Sequence, residues 1–326
     1  MLELLLGFII FVGATSASDG DCGDVNNDSS VNILDVVFLI NYKYKSGPVP
    51  EQLLSADVNS DGDIDIIDIV YLIDYKYKSG PEPNCSVAED IYDILFIGSS
   101  YFNFNNMPGL VAGLIESENK TVNIHTAIQN GLYLADHANM TTTELKINEK
   151  DWDFVFLQGV GILVAYPDSF PTDHPVYPAL ESLNNKILSN CESTKVVFCL
   201  PWAFEDGMIW VSGWTDEYPQ MQQKVYDTTL AYSDRIGFVI SPVGWAWNTI
   251  LKDLNYPLHY LHLSDWNHPS LKGSYLMACV IYSTIYQEST VGIEYTAGLS
   301  KEDAFYFQTV GTSMVLDSLE LWKIDY

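Results

Sequence analysis

The sequence predicts an α/β protein in which a parallel sheet, covered by helices on both faces, follows a small all-α module. Short apolar runs alternate with longer amphipathic segments throughout residues 91–326, and buried strands separated by helices form parallel sheets. Ahead of them, residues 24–79 contain two copies of one loop-and-helix unit. The chain has 326 residues, of which 48% are hydrophobic, so it can build one small module and one medium-sized domain.

The N-terminal region is a duplicated unit whose two loops span residues 24–35 and 57–68. Oxygen-bearing side chains stand at loop positions 1, 3, 5, 7, 9 and 12, and each loop runs into nearly the same helix. This is the spacing of an EF-hand-type calcium loop, because Ca²⁺ takes about six to eight oxygen ligands held in this way. The predicted metal ligands are Asp24, Asn26, Asp28, Ser30, Asn32, Asp35, Asp57, Asn59, Asp61, Asp63, Asp65 and Asp68.

This duplicated unit resembles the type I dockerin domain, the module that attaches polysaccharide-degrading enzymes to cohesin-bearing scaffolds. The resemblance implies a module over residues 19–85, two structural Ca²⁺ ions and a cohesin-like partner. Two interpretations stay open for loop positions 10 and 11, which face cohesin in dockerins: an exposed patch that binds a protein, or side chains packed inside the module. The residues at these positions are the apolar Ile33, Leu34, Ile66 and Ile67.

Composition restricts the partners and the compartment. The net charge of −28 argues against nucleic acid or an anionic membrane as a partner, since both need a basic surface. It fits either a soluble extracellular protein or a salt-adapted source. Residues 1–17 combine a short apolar run with small residues and predict a signal peptide cleaved after Ala17, although Glu3 replaces the usual basic start. We therefore expect secretion, and no other stretch resembles a transmembrane segment.

Five cysteines bear on the redox state. Cys22 and Cys85 flank the repeat module, and the two ends of a pseudo-symmetric module tend to meet, so a disulfide is predicted between them. Cys191 and Cys199 flank a helix-to-strand connection and form a second candidate pair. Cys279 lies in an apolar helix and is predicted to be a buried thiol. The alternative is that all five are reduced.

The second domain is predicted to begin at residue 91 and to run to residue 326. In a parallel sheet, ligands bind beyond the carboxyl ends of the strands, so residues just after each strand are the candidates for chemistry. The predicted strands are 94–97, 121–126, 154–158, 196–200 and 237–240. The predicted helices are 107–116, 176–189, 218–232, 271–286 and 301–324.

Three residues form a candidate catalytic triad. Ser100 follows the first strand, and Asp265 and His268 share one loop before a late helix. A serine at a strand-to-helix turn with aspartate and histidine on a late loop is typical of a Ser-His-Asp hydrolase. The alternative is that these residues only form turns and cap helices. The remaining histidines are predicted to be structural or at the surface, namely His125, His137, His174, His259 and His262.

The same residues resemble the SGNH (GDSL-like) hydrolase family over about residues 92–290. Its first block appears as Gly98-Ser-Ser100 and its last as Asp265-x-x-His268. The resemblance implies a flavodoxin-like sheet, with Ser100 as nucleophile and an oxyanion hole formed by the backbone N–H groups of Ser100 and Gly131. The third block, Gly-x-Asn-Asp, is absent. Gln158 stands at its expected place and is assigned the role of the side-chain donor.

Together these features predict a secreted serine esterase that removes acyl groups, above all acetyl groups, from polysaccharide and needs no cofactor for catalysis. The competing hypothesis is a non-catalytic carbohydrate-binding or surface-attachment protein, and the missing third block supports it. A peptidase or a thioesterase with the same triad stays open. Trp202, Trp210 and Trp214 have two interpretations, as the lining of a glycan cleft or as core and lid packing.

Overall fold

The computed structural model describes residues 22–85, 91–169, 173–252, 255–324 and 326. The chain divides into two compact units at the boundary between Asp90 and Ile91, and each unit is described by itself. The predicted signal peptide lies outside the described residues. Within the described ranges, no helix has both the length and the apolar character needed to cross a membrane.

Over residues 22–85, the described part of the first unit, there are two helices, α1 (Ile33–Tyr44) and α2 (Ile66–Lys78), and one 3-10 turn, Leu53–Ala56. Both helices begin with a capping box. The side chain at loop position 9 accepts the backbone N–H of position 12, and the carboxylate at position 12 accepts the backbone N–H of position 9. In the first copy these two residues are Asn32 and Asp35. The end of each loop is therefore also the start of its helix.

The two copies share one small core, and a disulfide joins its ends. The buried core residues come from both repeats and are Val25, Val36, Leu39, Ala56, Val58, Ile69 and Leu72. Cys22 and Cys85 form the predicted disulfide, with their Cα atoms 5.4 Å apart. Such a link stabilises a small module mainly by restricting its unfolded chain.

The loop residues proposed to contact a partner are at the surface of this module. Their exposed fractions are 48% for Ile33, 55% for Leu34, and 52% for both Ile66 and Ile67. Packing within the module is therefore the wrong interpretation of these side chains. Each repeat presents an equivalent apolar pair at the start of its helix.

The second unit is built on a five-stranded sheet in the order β2-β1-β3-β4-β5, with every neighbouring pair parallel. This is the flavodoxin-like order of a doubly wound sheet, and the predicted fold class is confirmed. The strands are β1 (Tyr92–Gly98), β2 (Val122–Ile128), β3 (Phe154–Gln158), β4 (Lys195–Cys199) and β5 (Val239–Ser241).

Helices surround this sheet and bury it. The larger ones are α4 (Met107–Ser117), α8 (Val176–Asn190), α9 (Tyr218–Ile236), α10 (Val243–Leu251), α11 (Leu271–Tyr286) and α12 (Lys301–Leu316). The shorter ones are α3 (Ser100–Asn103), α5 (Leu134–Asn139), α6 (Thr141–Ile147), α7 (Gly161–Ala165) and α13 (Leu319–Trp322). Helices α4, α11 and α12 pack together, and α5, α8 and α9 form a second group. Every β3 side chain is buried, as expected for a sheet covered on both faces.

Some predicted features differ from the structure. The predicted helix 301–324 ends at Leu316, and a separate short turn of helix follows. The predicted pairing of Cys191 with Cys199 is wrong, because both are free thiols. Cys199 is buried at the end of β4, whereas Cys191 is partly exposed before that strand. Cys279 is a buried thiol, as predicted.

Candidate active site

The structure brings Ser100, His268 and Asp265 into one hydrogen-bonded row. Ser100 begins helix α3 directly beyond the carboxyl end of β1, and the other two lie in the loop before α11. The Ser100 Oγ is 2.8 Å from His268 Nε2, and His268 Nδ1 is 2.6 Å from Asp265 Oδ2. This is the order of contacts that a nucleophile, its general base and an orienting carboxylate require.

Local hydrogen bonds keep the Asp265 carboxylate in its charged form. Burial alone would raise the pKa of Asp265, but hydrogen bonds from the backbone and imidazole of His268 and the backbone of Asn267 outweigh it and lower the pKa. Asp265 Oδ1 accepts the backbone N–H of His268 at 2.9 Å and that of Asn267 at 3.1 Å. The carboxylate is thereby fixed as the acceptor of the His268 Nδ1–H, which leaves Nε2 to face Ser100.

Aromatic rings fix the plane of the imidazole. The ring of Phe104 stacks on His268 with 4.4 Å between centroids, and Tyr101 meets the same ring edge-on at 5.7 Å. Tyr101 in turn stacks on Trp202, whose indole N–H donates to the backbone oxygen of Asn267 at 2.8 Å. Trp202 is 1% exposed and therefore supports the loop of Asp265 and His268 from the core, so its glycan-cleft interpretation is wrong.

A pocket of about 380 Å³ opens beside the serine. Ser100, His268 and Gly131 line it, together with Asn130 and Tyr133. Since Ser100 is the first residue of α3, its backbone N–H has no partner within the helix. Gly131 has a φ of 81°, a backbone conformation that favours glycine. The two residues predicted to supply oxyanion-binding N–H groups thus border the same pocket as the hydroxyl of the candidate nucleophile.

Gln158 does not occupy the position predicted for it. Its side chain is buried, and its Oε1 accepts the backbone N–H of Ser99 at 2.8 Å and the Ser99 hydroxyl at 3.1 Å. Its Nε2 donates to the backbone oxygen of Gly159 at 2.7 Å. The predicted role as oxyanion donor does not fit this geometry. Gln158 instead braces the turn that carries Ser100.

Sequence reasoning missed Asn130, which lines the pocket directly before Gly131. Its Oδ1 accepts a hydrogen bond of 3.0 Å from the Asn103 side-chain amide. This contact leaves Nδ2 as the end that can donate to a bound substrate. Its position next to the second-block glycine was the available signal in the sequence.

The other histidines lie outside the pocket. His137 and His262 are buried, and burial lowers the pKa of both, that of His262 to about 4. His137 Nε2 bonds to the backbone oxygen of Gly98 at 3.0 Å and so ties down the end of β1. His125 and His174 are partly exposed, and His259 pairs with a carboxylate on another loop.

The two predicted calcium loops are folded around their own carboxylates. Asp24 accepts the backbone N–H groups of Asp28 and Ser29, at 3.0 and 2.6 Å, and Asp57 makes the corresponding contacts in the second copy. Position 6 of each loop has a left-handed backbone, with φ of 66° at Ser29 and 89° at Gly62. This is the sharp turn that EF-hand loops make at that position.

The donor chemistry of both loops fits a divalent cation. Burial raises the pKa of Asp35 and Asp68, and the nearby carboxylates of Asp24 and Asp57 raise it further, against the lowering effect of backbone hydrogen bonds. Buried carboxylates that repel one another are stabilised by a bound cation. In the described part of the chain no three Asp, Glu, His or Cys side chains form a metal cluster, and each loop also relies on an asparagine amide.

Comparison with known proteins gives the class of the first unit. Residues 22–75 match the Dockerin type I domain family, so the resemblance seen in the repeats is confirmed. Type I dockerin domains bind calcium and imply a cohesin partner. No curated protein matches the chain.

Solved structures give the fold of the second unit. It is similar to a DUF4886 family protein from Bacteroides uniformis ATCC 8492, with 17% identity and a TM-score of 0.56, over 70% of this chain and 95% of that one. It is also similar to a putative SGNH hydrolase from Slackia heliotrinireducens, with 22% identity and a TM-score of 0.48, over 60% of this chain and 100% of that one. Axe2, an acetylxylan esterase from Geobacillus stearothermophilus, matches at 16% identity with a TM-score of 0.44, over 64% of this chain and 97% of that one. At 17% identity the likeness to the DUF4886 family protein concerns the fold and not the reaction.

Proposed function

We propose that this protein is a secreted serine esterase of the SGNH type that deacylates, above all deacetylates, carbohydrate esters of polysaccharide. The observation that carries the proposal is the unbroken hydrogen-bonded row from Ser100 through His268 to Asp265. Such a row activates a hydroxyl that is a weak nucleophile at its ordinary pKa. The first unit would tether the enzyme to a cohesin-bearing scaffold outside the cell.

The reaction follows from the positions of these groups. His268 Nε2 takes the proton of the Ser100 hydroxyl as Oγ attacks the ester carbonyl carbon, and Asp265 stabilises the imidazolium that forms. The oxyanion of the tetrahedral intermediate is met by the backbone N–H groups of Ser100 and Gly131. Each such donor contributes about 2.7–4 kcal/mol to transition-state stabilisation. The imidazolium then protonates the leaving alcohol, and water hydrolyses the acyl-enzyme by the same proton transfers in reverse order.

The tether rests on the match to type I dockerins. We propose one Ca²⁺ in each loop, held in the first by Asp24, Asn26, Asp28 and Asp35 and in the second by the corresponding residues, with position 9 acting through water. Bound calcium would neutralise the loop carboxylates and keep the two helix starts together. The polysaccharide substrate is supported by this tether, since a dockerin places its enzyme on scaffolds devoted to polysaccharide breakdown.

The proposal is tested by acetate release from acetylated polysaccharides and by p-nitrophenol release from p-nitrophenyl acetate. Ser100→Ala and His268→Ala are each expected to lower kcat/KM by at least about a thousandfold, because the triad acts as a unit. Ser193→Ala, which alters an exposed serine before β4, is the matched control and should keep full activity.

Two results would contradict the proposal. A folded wild-type protein that turns over no acetyl, butyryl or glycan ester would favour the non-catalytic binding protein instead. Faster turnover of acetyl thioesters or of peptides than of oxygen esters would assign the triad to a thioesterase or a peptidase.

A further inference from the structure

A second pocket, of about 540 Å³, lies beside the candidate triad and is called the aromatic subsite below. It is formed between the loop that follows β4 and the loop that carries Asp265 and His268. The lining residues are Phe204, Asp206, Trp210, Asp265, Trp266 and Asn267. Asn267 also lines the smaller pocket around Ser100, so the two cavities are neighbours at the carboxyl edge of the sheet.

The first wall of the aromatic subsite presents a tryptophan to solvent in a fixed place. Trp210 is 63% exposed, although an indole of this size is usually largely buried. Its N–H donates to the backbone oxygen of Gly207 at 3.0 Å, and its ring packs against Phe204 with 6.1 Å between centroids. A large apolar side chain that is exposed and also held in place is typical of a binding surface.

The other wall of the aromatic subsite contains Trp266, whose backbone conformation is strained. Trp266 has a φ of 68°, which a bulky side chain seldom adopts and which persists at functional sites. Its carbonyl accepts the backbone N–H of Glu205 at 2.9 Å, and the ring of His259 packs edge-on against its indole at 4.9 Å. His259 Nδ1 in turn lies 2.6 Å from Glu205 Oε2. The Glu205–His259 pair thus fixes Trp266 without taking part in the triad.

The position of the aromatic subsite relative to the nucleophile sets the size of its ligand. The subsite borders Asp265, and the His268 imidazole separates Asp265 from the Ser100 hydroxyl through bonds of 2.6 and 2.8 Å. A glycan whose ester carbonyl lies at Ser100 would therefore place a neighbouring sugar ring toward the subsite. A small ester such as p-nitrophenyl acetate carries no such second ring.

We propose that the aromatic subsite binds a neutral sugar ring of a glycan, at least one residue away from the acylated ring. The proposal rests on the esterase function above and names its specificity site. Indole faces at Trp210 and Trp266 suit the apolar face of a pyranose, and the Asp206 carboxylate and Asn267 amide provide partners for its hydroxyls. Carboxylates at Asp206 and Asp265, in a chain of net charge −28, oppose acidic sugars.

A cationic ligand is the main competitor for an aromatic pocket with carboxylates, because aromatic faces also bind quaternary ammonium groups. The volume of about 540 Å³ favours the sugar, since it lies in the range of pockets that enclose drug-sized ligands and far exceeds one trimethylammonium group. Binding of tetramethylammonium is therefore included as an outcome of the test.

The binding experiment uses the full chain with calcium and the Ser100→Ala substitution, so that no turnover is needed. Cello-, xylo- and manno-oligosaccharides of two to six units are titrated by calorimetry and by tryptophan fluorescence. We expect Trp210→Ala to weaken binding of at least one series by about tenfold or more, as for other aromatic anchors. Trp210→Phe should recover part of the loss. Phe305→Ala, which removes another exposed aromatic ring, on α12, should change nothing.

The kinetic experiment compares an acetylated oligosaccharide with p-nitrophenyl acetate in the catalytically intact protein. Trp210→Ala should reduce kcat/KM for the oligosaccharide at least about tenfold more than for the small ester, mainly through KM. Equal losses on the two substrates, no oligosaccharide binding, or tighter binding of tetramethylammonium would each overturn the sugar assignment. Oligosaccharide binding that is lost in Trp210→Ala without any ester turnover would instead refute the esterase and leave the subsite in place.

Discussion

Asn130 lines the pocket of the Ser100 hydroxyl, whereas the side chain of Gln158 is engaged with Ser99. The Asn103 amide donates to Asn130 Oδ1, which leaves Asn130 Nδ2 as a candidate donor to a bound substrate. We expect Asn130→Ala to lower kcat by about a hundredfold, at the lower end of the effect of removing an oxyanion donor, with KM little changed. Steady-state kinetics on p-nitrophenyl acetate check this. Asn130→Asp should be still slower, and full activity of Asn130→Ala would exclude the donor role.

Gly98 shows how the packing of the nucleophile turn restricts the sequence. A Cβ atom on Gly98 would lie 2.8 Å from Gln158 Oε1 and 2.9 Å from Phe102 Cδ2. We expect Gly98→Ala to destabilise the second unit by about 1–3 kcal/mol through overpacking, measured by urea unfolding.

Combining Gly98→Ala with Gln158→Ala tests the cause. The second change removes Gln158 Oε1 but keeps Gln158 Cβ, which also lies 2.9 Å from the added methyl group. Relief of the amide clash should make the double variant lose less stability than the sum of the single variants. Additive losses would show that the Gln158 amide is not what excludes a side chain at Gly98.

At the scale of elements, the two calcium loops and their helices are expected to fold together only with metal. Without a cation the buried Asp35 and Asp68 and their neighbours repel one another at neutral pH. We expect EDTA to remove the helical circular dichroism of α1 and α2 and to make residues 19–85 sensitive to protease. Unchanged spectra and protease resistance in EDTA would contradict this, and readdition of Ca²⁺ is the control.

The strands and long helices were predictable from the sequence because their patterns are local. The strand 154–158 and the helix 271–286 have the same bounds in the prediction and in the structure. The role of Gln158 was not predictable, because it depends on β3 lying beside β1. The proximity of Ser100, His268 and Asp265 was predictable because order along the chain and placement after strands suffice to bring them together. The aromatic subsite was not, since its two walls come from loops distant in sequence.

At the scale of the whole second unit, buried His262 links stability to pH. Its Nε2 donates to the Ala203 carbonyl at 2.9 Å, while Nδ1 is buried with no hydrogen-bond partner among the described residues. Burial lowers its pKa in the folded state from 6.5 to about 4, so protonation favours the unfolded chain. The stability that the protein keeps while His262 is neutral is fully present above about pH 6.5 and is lost as the pH falls toward 4. It amounts to at most about 3 kcal/mol.

Urea unfolding between pH 7.5 and pH 4.5 measures this effect. The wild-type protein should lose stability on acidification, and His262→Gln should be less stable at pH 7.5 but show a shallower dependence on pH. A variant with the same slope as the wild type would assign the acid sensitivity to other groups.

The capping boxes at the starts of α1 and α2 have a consequence for when the protein assembles. Asp35 and Asp68 each close a helix start and also stand at the last position of a calcium loop. If each loop holds an ion as proposed, its loss would take away the first turn on which the exposed Ile33, Leu34, Ile66 and Ile67 are displayed. At the low calcium level of a cytosol, the chain would carry no formed docking face. If the protein is secreted as proposed, export into a calcium-rich medium would create that face, which would prevent premature assembly inside the producing cell.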